Sequence, residues 1–262
     1  MIIVSCEMYE SAIILLMKIF QLNVWGGRLG KQVIDLIKRE DPDIVCLQEV
    51  VHIPGGDGFL IEDLEQILEA TGFEYFSFNA QFGYNLMNRK ARSGLAILSK
   101  YPFIEEDAVF TRLKYVDDFD IQDTDYNIRS LQRVSVVDEI TGRNIHIINH
   151  HGHHVPNHKN GDEETLRQCQ MIVNYIKNIG DPVILCGDFN LSPDSESLQL
   201  INRILINHAK EQGVITTRTP LTYKTEVCDY IFTSPGLRTQ SFQVLDDIVS
   251  DHKALTLDFF VD

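Results

Sequence analysis

The chain has 262 residues, a formal net charge of −15 and an ordinary globular composition, 44% hydrophobic and 23% charged. Its length suits one large domain, and a chain of this size buries roughly three quarters of its unfolded surface. So acidic a balance argues against a broad basic surface holding nucleic acid nonspecifically, although a local basic groove, or divalent metal between carboxylates and phosphate, keeps nucleic acid among the substrates to consider.

The first segment, "MIIVSCEMYESAIILLMKIF", has an apolar run from Ala12 to Met17 that is short for a membrane span. Glu7 and Glu10 precede that run with no Lys or Arg, which makes a poor secretory signal. Met17 stands directly before a clean strand pattern. Translation from Met17 is therefore favoured over an extra edge strand or helix, and the chain divides into an extension, 1–16, and a single domain, 17–262. No stable membrane insertion is expected, and the protein is expected to be a monomer.

"KIFQLNVW" alternates and is rich in β-formers, so it reads as a strand. After Gly26-Gly27, the spacing of Leu29, Val33, Leu36 and Ile37 predicts a helix that stops at Asp41-Pro42. "DIVCLQEV" reads as a strand, Pro54 to Gly58 as a loop, and Leu60, Leu64, Ile67 and Leu68 as a helix ending near Gly72. "GLAILSK", "RVSVVDE" and "NIHIINHH" follow as strands, Glu163 to Ile179 as a helix, "PVILCGDFN" as a strand and Ser197 to Ile206 as a helix. "CDYIFTS", "FQVLDD" and "ALTLDFF" complete the set as strands. This uneven alternation predicts an α/β protein with a mixed sheet or a pair of sheets and helices outside, not a pure doubly wound sheet.

Five of these strands carry a polar residue at one tip: Asn23 in "LNVW", Glu49 in "LQEV", Asp188 in "GDFN", Asp229 in "CDYIF" and Asp251-His252 in "SDHKAL". A single strand-end Asp is usually a turn former or a helix cap. If all five tips meet on one rim, several carboxylates share a small volume, and their repulsion calls for protons or a cation. Hard oxygen ligands suit Mg²⁺, Mn²⁺ or Ca²⁺, and with histidine and asparagine beside them they suit metal-assisted hydrolysis of phosphate esters.

In this order "LNVW", "LQEV", "NHH", "GDFN", "CDYIF" and "SDH" resemble the endonuclease/exonuclease/phosphatase superfamily, whose fold is that of pancreatic-type deoxyribonuclease. The resemblance spans roughly Lys18 to Phe260. It implies a four-layer α-β-β-α sandwich of two packed mixed β-sheets flanked by helices. It also implies Mg²⁺ or Mn²⁺ held by Glu49 and Asp251, with Asn23 close to the metal and the phosphate. Asp188 would orient or deprotonate the attacking water, and Asn190 would hydrogen-bond a phosphate oxygen. His252 would bind the scissile phosphate, with Asp229 fixing its tautomer. His151 would help the leaving group. The family's "NTHL" is here "NHHG", so His150 is the alternative to His151. "LQE" is followed by Val50-Val51 rather than the Thr-Lys of abasic-site endonucleases, which lowers the case for DNA repair.

The remaining signals weigh less. Six of the nine histidines lie between 146 and 158, but "HVPNH" lacks a zincin glutamate and Pro156 opposes the helix, so a substrate-facing loop is preferred over a second, transition-metal site. In "DDFDIQDTDYN", Asp123, Asp125 and Asn127 match a calcium loop, while Ile128 and Val134 stand where Gly and Glu are required, so that motif is rejected for an acidic loop. Arg129 and Arg133 open the "RVSVV" strand. Arg129 is a candidate phosphate contact, against an ordinary ion pair. Arg89, Lys90 and Arg92 read as a solvated basic cluster. Five scattered cysteines without C-x-x-C spacing read as reduced, in a cytoplasmic protein. The resulting expectation is a divalent-metal-dependent phosphoesterase, first of phosphodiesters and possible DNA or RNA substrates. The alternatives are an enzyme for a small sugar, inositol or lipid-headgroup phosphate, or an inactive binding module.

Overall fold

The computed structural model describes residues 16–56, 61–120, 122 and 127–261. The extension expected over 1–16 therefore lies outside the described residues, except for its last position. In chain order the elements are β1 (Met17–Asn23), a 3-10 turn (Trp25–Gly27), α1 (Gly30–Glu40), β2 (Ile44–His52) and α2 (Leu64–Thr71). β3 (Tyr75–Leu86), β4 (Arg89–Ser99), β5 (Glu105–Arg112), β6 (Arg129–Val137) and β7 (Asn144–His151) follow. The rest are α3 (Glu163–Lys177), β8 (Val183–Asp188), α4 (Glu196–Asn202), β9 (Ile206–Asn207), α5 (His208–Glu211), β10 (Asp229–Thr233), β11 (Leu237–Val244) and β12 (Leu255–Val261).

Two six-stranded sheets form, with strand orders β11-β12-β1-β2-β4-β3 and β5-β6-β7-β8-β10-β9. They pack face to face, β2 over β7 and β8, and β1 over β8. The strand period of two sorts their residues. Met17 and Ile19 of β1 and Cys46 of β2 point into the inter-sheet core with Ile147 and Cys186. Phe20, Leu22, Val45 and Leu47 point outward, under Val33, Leu36 and Ile37 of α1 and Leu64 and Ile67 of α2. On the far side Cys169, Ile172 and Ile176 of α3 and Leu198 and Ile201 of α4 cover the second sheet. At roughly 1.5–3 kcal/mol for each fully buried large apolar side chain, these faces outweigh any helix propensity in holding the helices down. The layers are the predicted α-β-β-α sandwich. Among the described residues no helix is long and apolar enough to cross a membrane.

Each sheet holds one parallel pair, β1 with β2 and β7 with β8, while the other pairings are antiparallel. Parallel neighbours end at the same edge, so Asn23 stands beside Gln48 and His151 beside Asp188. β10 and β12 run antiparallel to β8 and β1, which brings their starts, Asp229 and the segment after His252, to that same edge. Topology thus gathers the strand tips on one rim.

Several elements depart from the sequence reading. The helix expected over 197–206 is α4, which starts at Glu196 because the Ser195 side chain caps it by accepting from Leu198 N, and ends at Asn202. Ile206 and Asn207 then pair with Thr233 and Phe232 as β9. The helix expected to Ile179 ends at Lys177. β3, most of the β3–β4 hairpin and β5 were not anticipated.

Candidate active site

Beneath the rim, the inward positions of the central strands change from apolar to polar. Gln21 Nε2 donates to Gln48 Oε1 at 2.8 Å, Gln48 Nε2 to Asn149 Oδ1 at 2.7 Å, and Asn149 Nδ2 to the carbonyls of Leu47 (2.9 Å) and Ala96 (3.1 Å). This amide chain crosses from one sheet to the other and forms the floor of the site. Sequence reasoning missed it, although "FQLN", "CLQE" and "INHH" each show an amide at an inward position.

The tips stand on this floor. Asn23 Nδ2 lies 3.1 Å from both Glu49 Oε1 and Asp188 Oδ2. Glu49 has φ +56°, at a register shift in the β2–β4 pairing between Leu47 and Val50. A β-bulge of this kind re-aims a side chain, and here it puts a carboxylate beside the cleft. His151 Nε2 sits 3.9 Å from Glu49 Oε1 and 3.8 Å from Asp188 Oδ2. Asp188 Oδ1 accepts from Asn190 N at 2.9 Å, and Asn190 itself has φ +55°. Gly187, just before, has φ +144°, and a Cβ there would meet the His150 carbonyl oxygen at 1.8 Å. Only glycine permits β8 to lie so close to β7 in that conformation.

His252 completes the rim. Its Nδ1 faces both Asp229 oxygens at 2.9 and 3.0 Å, and Thr217 Oγ1 donates to Asp229 Oδ2 at 2.7 Å. Its Nε2 lies 3.6 Å from Asp188 Oδ2. Asp251 is adjacent, with Oδ1 3.9 Å from His252 Nε2. Ser250 Oγ donates to the Asn23 carbonyl at 2.6 Å and so ties the "SDH" turn to β1.

Asn23, Glu49, His151, Asp188, Asn190, Asp229, Asp251 and His252 are therefore brought together. His150 is not: it points to the other face of β7, where its ring packs on Phe189 at 5.1 Å and Nδ1 meets the Ser130 carbonyl at 3.0 Å. Arg129 lines the cleft, but its guanidinium is engaged with the Gly152 carbonyl (2.7 Å), the Ile128 carbonyl (3.1 Å) and Asn127 Oδ1 (3.1 Å). Arg133 is an ion pair with Glu105 at 3.2 Å. The histidine cluster disperses: His146 meets Ser135 and Asp181, His153 meets Asp162, and of the rest only His151 and His154 line the cleft. Asp123 and Asp125 lie outside the described residues, while Asn127 bonds Arg129 and His154.

Two cations that the sequence reading passed over stand at the same place. Lys159, 5% exposed, donates to Asn190 Oδ1 at 2.5 Å. Arg218, also 5% exposed, places Nη1 against His252 Nε2 and 3.4 Å from Asp251 Oδ2. Neither sits in a motif; their only signal is a basic residue in a loop flanking a strand tip.

The charges are set by this packing. Burial alone would raise Asp188, but attraction to His252 first, then to His151 when it carries a proton, and to Arg218 and Lys159, outweighs it and holds the carboxyl well below its usual range. Burial works against a charged His252 ring, yet Asp229 and Asp188 draw its pKa well above the ordinary histidine value. Burial, helped by Arg129, keeps His151 far below that value and so neutral. Burial raises Glu49, offset in part by the Asn23 hydrogen bond.

For a metal, the donor chemistry fits at Glu49 and Asp188. Two carboxylate oxygens converge there on one amide N–H group, as hard ligands would on a cation. Asp188, Cys228, Asp229 and His252 also place donor atoms within 4.8 Å of one another. That second set is better read as a hydrogen-bond network, because Asp229 is committed to His252 and Thr217, and burial pushes the Cys228 thiol up to about 11.

The cleft over these residues encloses ≈ 220 Å³. It joins a second hollow of ≈ 300 Å³ that shares Glu49, Arg129 and His151 and continues along Arg28, Gln81, Phe82, Tyr84 and Ser93.

The family described as Endonuclease/Exonuclease/phosphatase matches residues 20–252. No curated protein matches the chain. Among solved structures, a functionally unknown conserved protein from Enterococcus faecalis is similar at 20% identity and a TM-score of 0.71, covering 94% of this chain and 100% of its own. The human Nocturnin catalytic domain with bound sulfate is similar at 20% identity and a TM-score of 0.71, covering 94% of each chain. A Bacteroides thetaiotaomicron mannosyl-6-phosphatase is similar at 17% identity and a TM-score of 0.67, covering 93% of this chain and 99% of its own.

Proposed function

Because the chain belongs to the endonuclease/exonuclease/phosphatase family, we propose that it is a divalent-metal-dependent phosphoesterase that hydrolyses small phosphate esters by in-line attack of water. The observation that carries this is the setting of Asp188. It is a buried, ionised carboxylate whose Oδ2 lies 3.1 Å from Asn23 Nδ2, 3.6 Å from His252 Nε2 and 3.8 Å from His151 Nε2.

Asp188, kept ionised, orients the water by accepting its hydrogen bond as the new P–O bond forms, and the water's proton passes to solvent. The ester P–O bond breaks on the opposite side, and the departing oxygen is protonated from solvent. His252, charged and held by Asp229, hydrogen-bonds the phosphate oxygens, and Asn190 contributes its amide. His151, neutral, donates a hydrogen bond to the leaving oxygen. Glu49 and Asp188, with Asn23 and Asp251 beside them, would hold Mg²⁺ or Mn²⁺. When bound, the metal supplies charge neutralisation at the reacting phosphate.

Phosphodiesters, nucleic acid among them, were the first expectation from the sequence. A small ester is favoured here by where the positive charge lies. Arg129, Lys159 and Arg218 are buried at the cleft, within a chain whose net charge is −15. A groove that follows a nucleic-acid backbone needs cations spread along an exposed track. The adjoining hollow suits the organic group of a small ester. Among the described residues four cysteines are free and buried, which fits a reducing, cytoplasmic setting.

The test is Mg²⁺-dependent hydrolysis of a small ester, 4-nitrophenyl phosphate, by purified protein, beside His252→Ala and an EDTA control. Turnover lost in both supports the site. Turnover that survives both would remove His252 and the metal from the mechanism.

A further inference from the structure

Arg218 is held more firmly than a surface cation. Its backbone forms a β-bridge with His252, flanked by Thr219 N donating to the Asp251 carbonyl at 3.1 Å and Lys253 N to the Thr217 carbonyl at 2.8 Å. The turn carrying the phosphate-facing histidine therefore also carries the guanidinium. Nη1 donates to Asp251 Oδ2 at 3.4 Å and also lies against His252 Nε2, a second N–H donor when that ring is charged, while Nε is buried with no partner among the described residues. An unpaired buried donor of this kind is costly, and more so on a charged group. A guanidinium serving only Asp251 has no need to leave one. Arg218 also lines the cleft, with Lys224 beside it. The second buried cation, Lys159, reaches Asn190, and both Lys159 and Arg218 act on Asp188.

We propose that Arg218, seconded by Lys159, is a phosphate-binding residue that selects a terminal phosphomonoester over an internal diester. This rests on the phosphoesterase reading above. A monoester carries close to two negative charges near neutral pH and three terminal oxygens. A diester carries one charge and two non-bridging oxygens. His252 and Asn190 already serve two oxygens. The guanidinium fork, with Nε unpaired, supplies donors for the third oxygen and for the second charge. On phosphate binding, Arg218 exchanges its Asp251 contact for the phosphate, and the anion then lies between two facing donors, the guanidinium and the charged His252 Nε2.

The experiment compares 4-nitrophenyl phosphate with methyl 4-nitrophenyl phosphate, which share a leaving group and differ in charge. Arg218→Gln is expected to lower kcat/KM for the monoester at least tenfold more than for the diester, mainly through KM, with Arg218→Lys recovering part of the loss. Equal losses on the two substrates would overturn the proposal. If the wild-type protein turns over neither, the phosphoesterase reading fails, and titration with inorganic phosphate by calorimetry then decides. Binding at least tenfold weaker in Arg218→Gln supports the clamp, whereas equal binding, or none by the wild-type protein, overturns it. Thermal melts check folding, and should Arg218→Gln not fold, Lys159→Met is read by the same double ratio.

Discussion

Single residues do chemistry here only through what holds them. His252 shows this most directly, because both oxygens of Asp229 face its Nδ1 and Thr217 in turn fixes Asp229. The carboxylate sets the tautomer, so that Nε2 faces the cleft, and it raises the ring's pKa. Asp229→Asn keeps the volume and removes the charge. Outer partners of this kind are typically worth 10–100-fold in activity, and more where the tautomer is lost. We expect kcat to fall by about 10²-fold or more, and the His252 pKa, followed by histidine NMR, to drop. A ring that still titrates well above the ordinary value in the variant would mean that Asp188, not Asp229, governs it. Asp229, Asp188 and His252 were legible from sequence because each ends or opens an apolar strand, and a charged side chain there has to be stabilised. Arg218 and Lys159 were not legible. They arrive from loops, and only the three-dimensional path shows a loop cation to be 95% buried against a strand tip.

At the scale of elements, two parallel pairs within otherwise antiparallel sheets bring the tips together. The amide chain from Gln21 through Gln48 to Asn149 keys one sheet to the other below them. Such a network is worth having only when complete, since a broken link leaves buried donors and acceptors unpaired. Gln48→Leu removes the middle link. It strands the Asn149 carbonyl oxygen and costs Gln21 Nε2 its 2.8 Å acceptor, for a loss of roughly 2–4 kcal/mol in urea unfolding. A loss within 0.5 kcal/mol of zero would show that the chain is decoration rather than a key. Central strands and covering helices could be read from the sequence, because burial on both faces forces continuous apolar runs or clear periodicity. β5, "EEDAVFTR", is an edge strand with its first four residues exposed, and no apolar pattern is required of it. β3 is only half-buried, and its turn into β4 uses Met87 and Asn88, both at positive φ, without the glycine that usually flags a hairpin. The bulge at Glu49 was hidden for a related reason: left-handed backbone at a glutamate leaves no compositional trace.

At the scale of the molecule, two effects of acid oppose each other. Lowering pH toward the isoelectric point near 4.9 removes negative charge and relieves self-repulsion, which favours the folded state. Buried histidines act the other way. Burial holds His150 and His208 down to about 4, whereas an unfolded histidine titrates near 6.5. Above 6.5 both states are neutral at these rings. Between about 6.5 and 4 only the unfolded chain binds the proton, so stability is present above the unfolded pKa and is lost as pH falls. His252 has the opposite sign, because its raised pKa contributes stability that is full below 6.5 and is lost only as pH rises through the folded value. The acid loss therefore belongs to the depressed rings. At about 1.4 kcal/mol per pKa unit, each is worth roughly 2–3 kcal/mol by pH 4. His208 isolates the effect, since it lies far from the cleft, where Nε2 meets Thr233 Oγ1 at 2.9 Å and the ring stacks on Phe242. His208→Gln keeps an amide near that hydroxyl and does not titrate. Urea unfolding from pH 7 to 4.5 should show the wild-type protein losing stability as its net charge shrinks, with a visibly shallower fall in the variant. Parallel profiles would assign the acid loss elsewhere, and stability that rises toward pH 4.9 would mean that charge repulsion outweighs the buried rings.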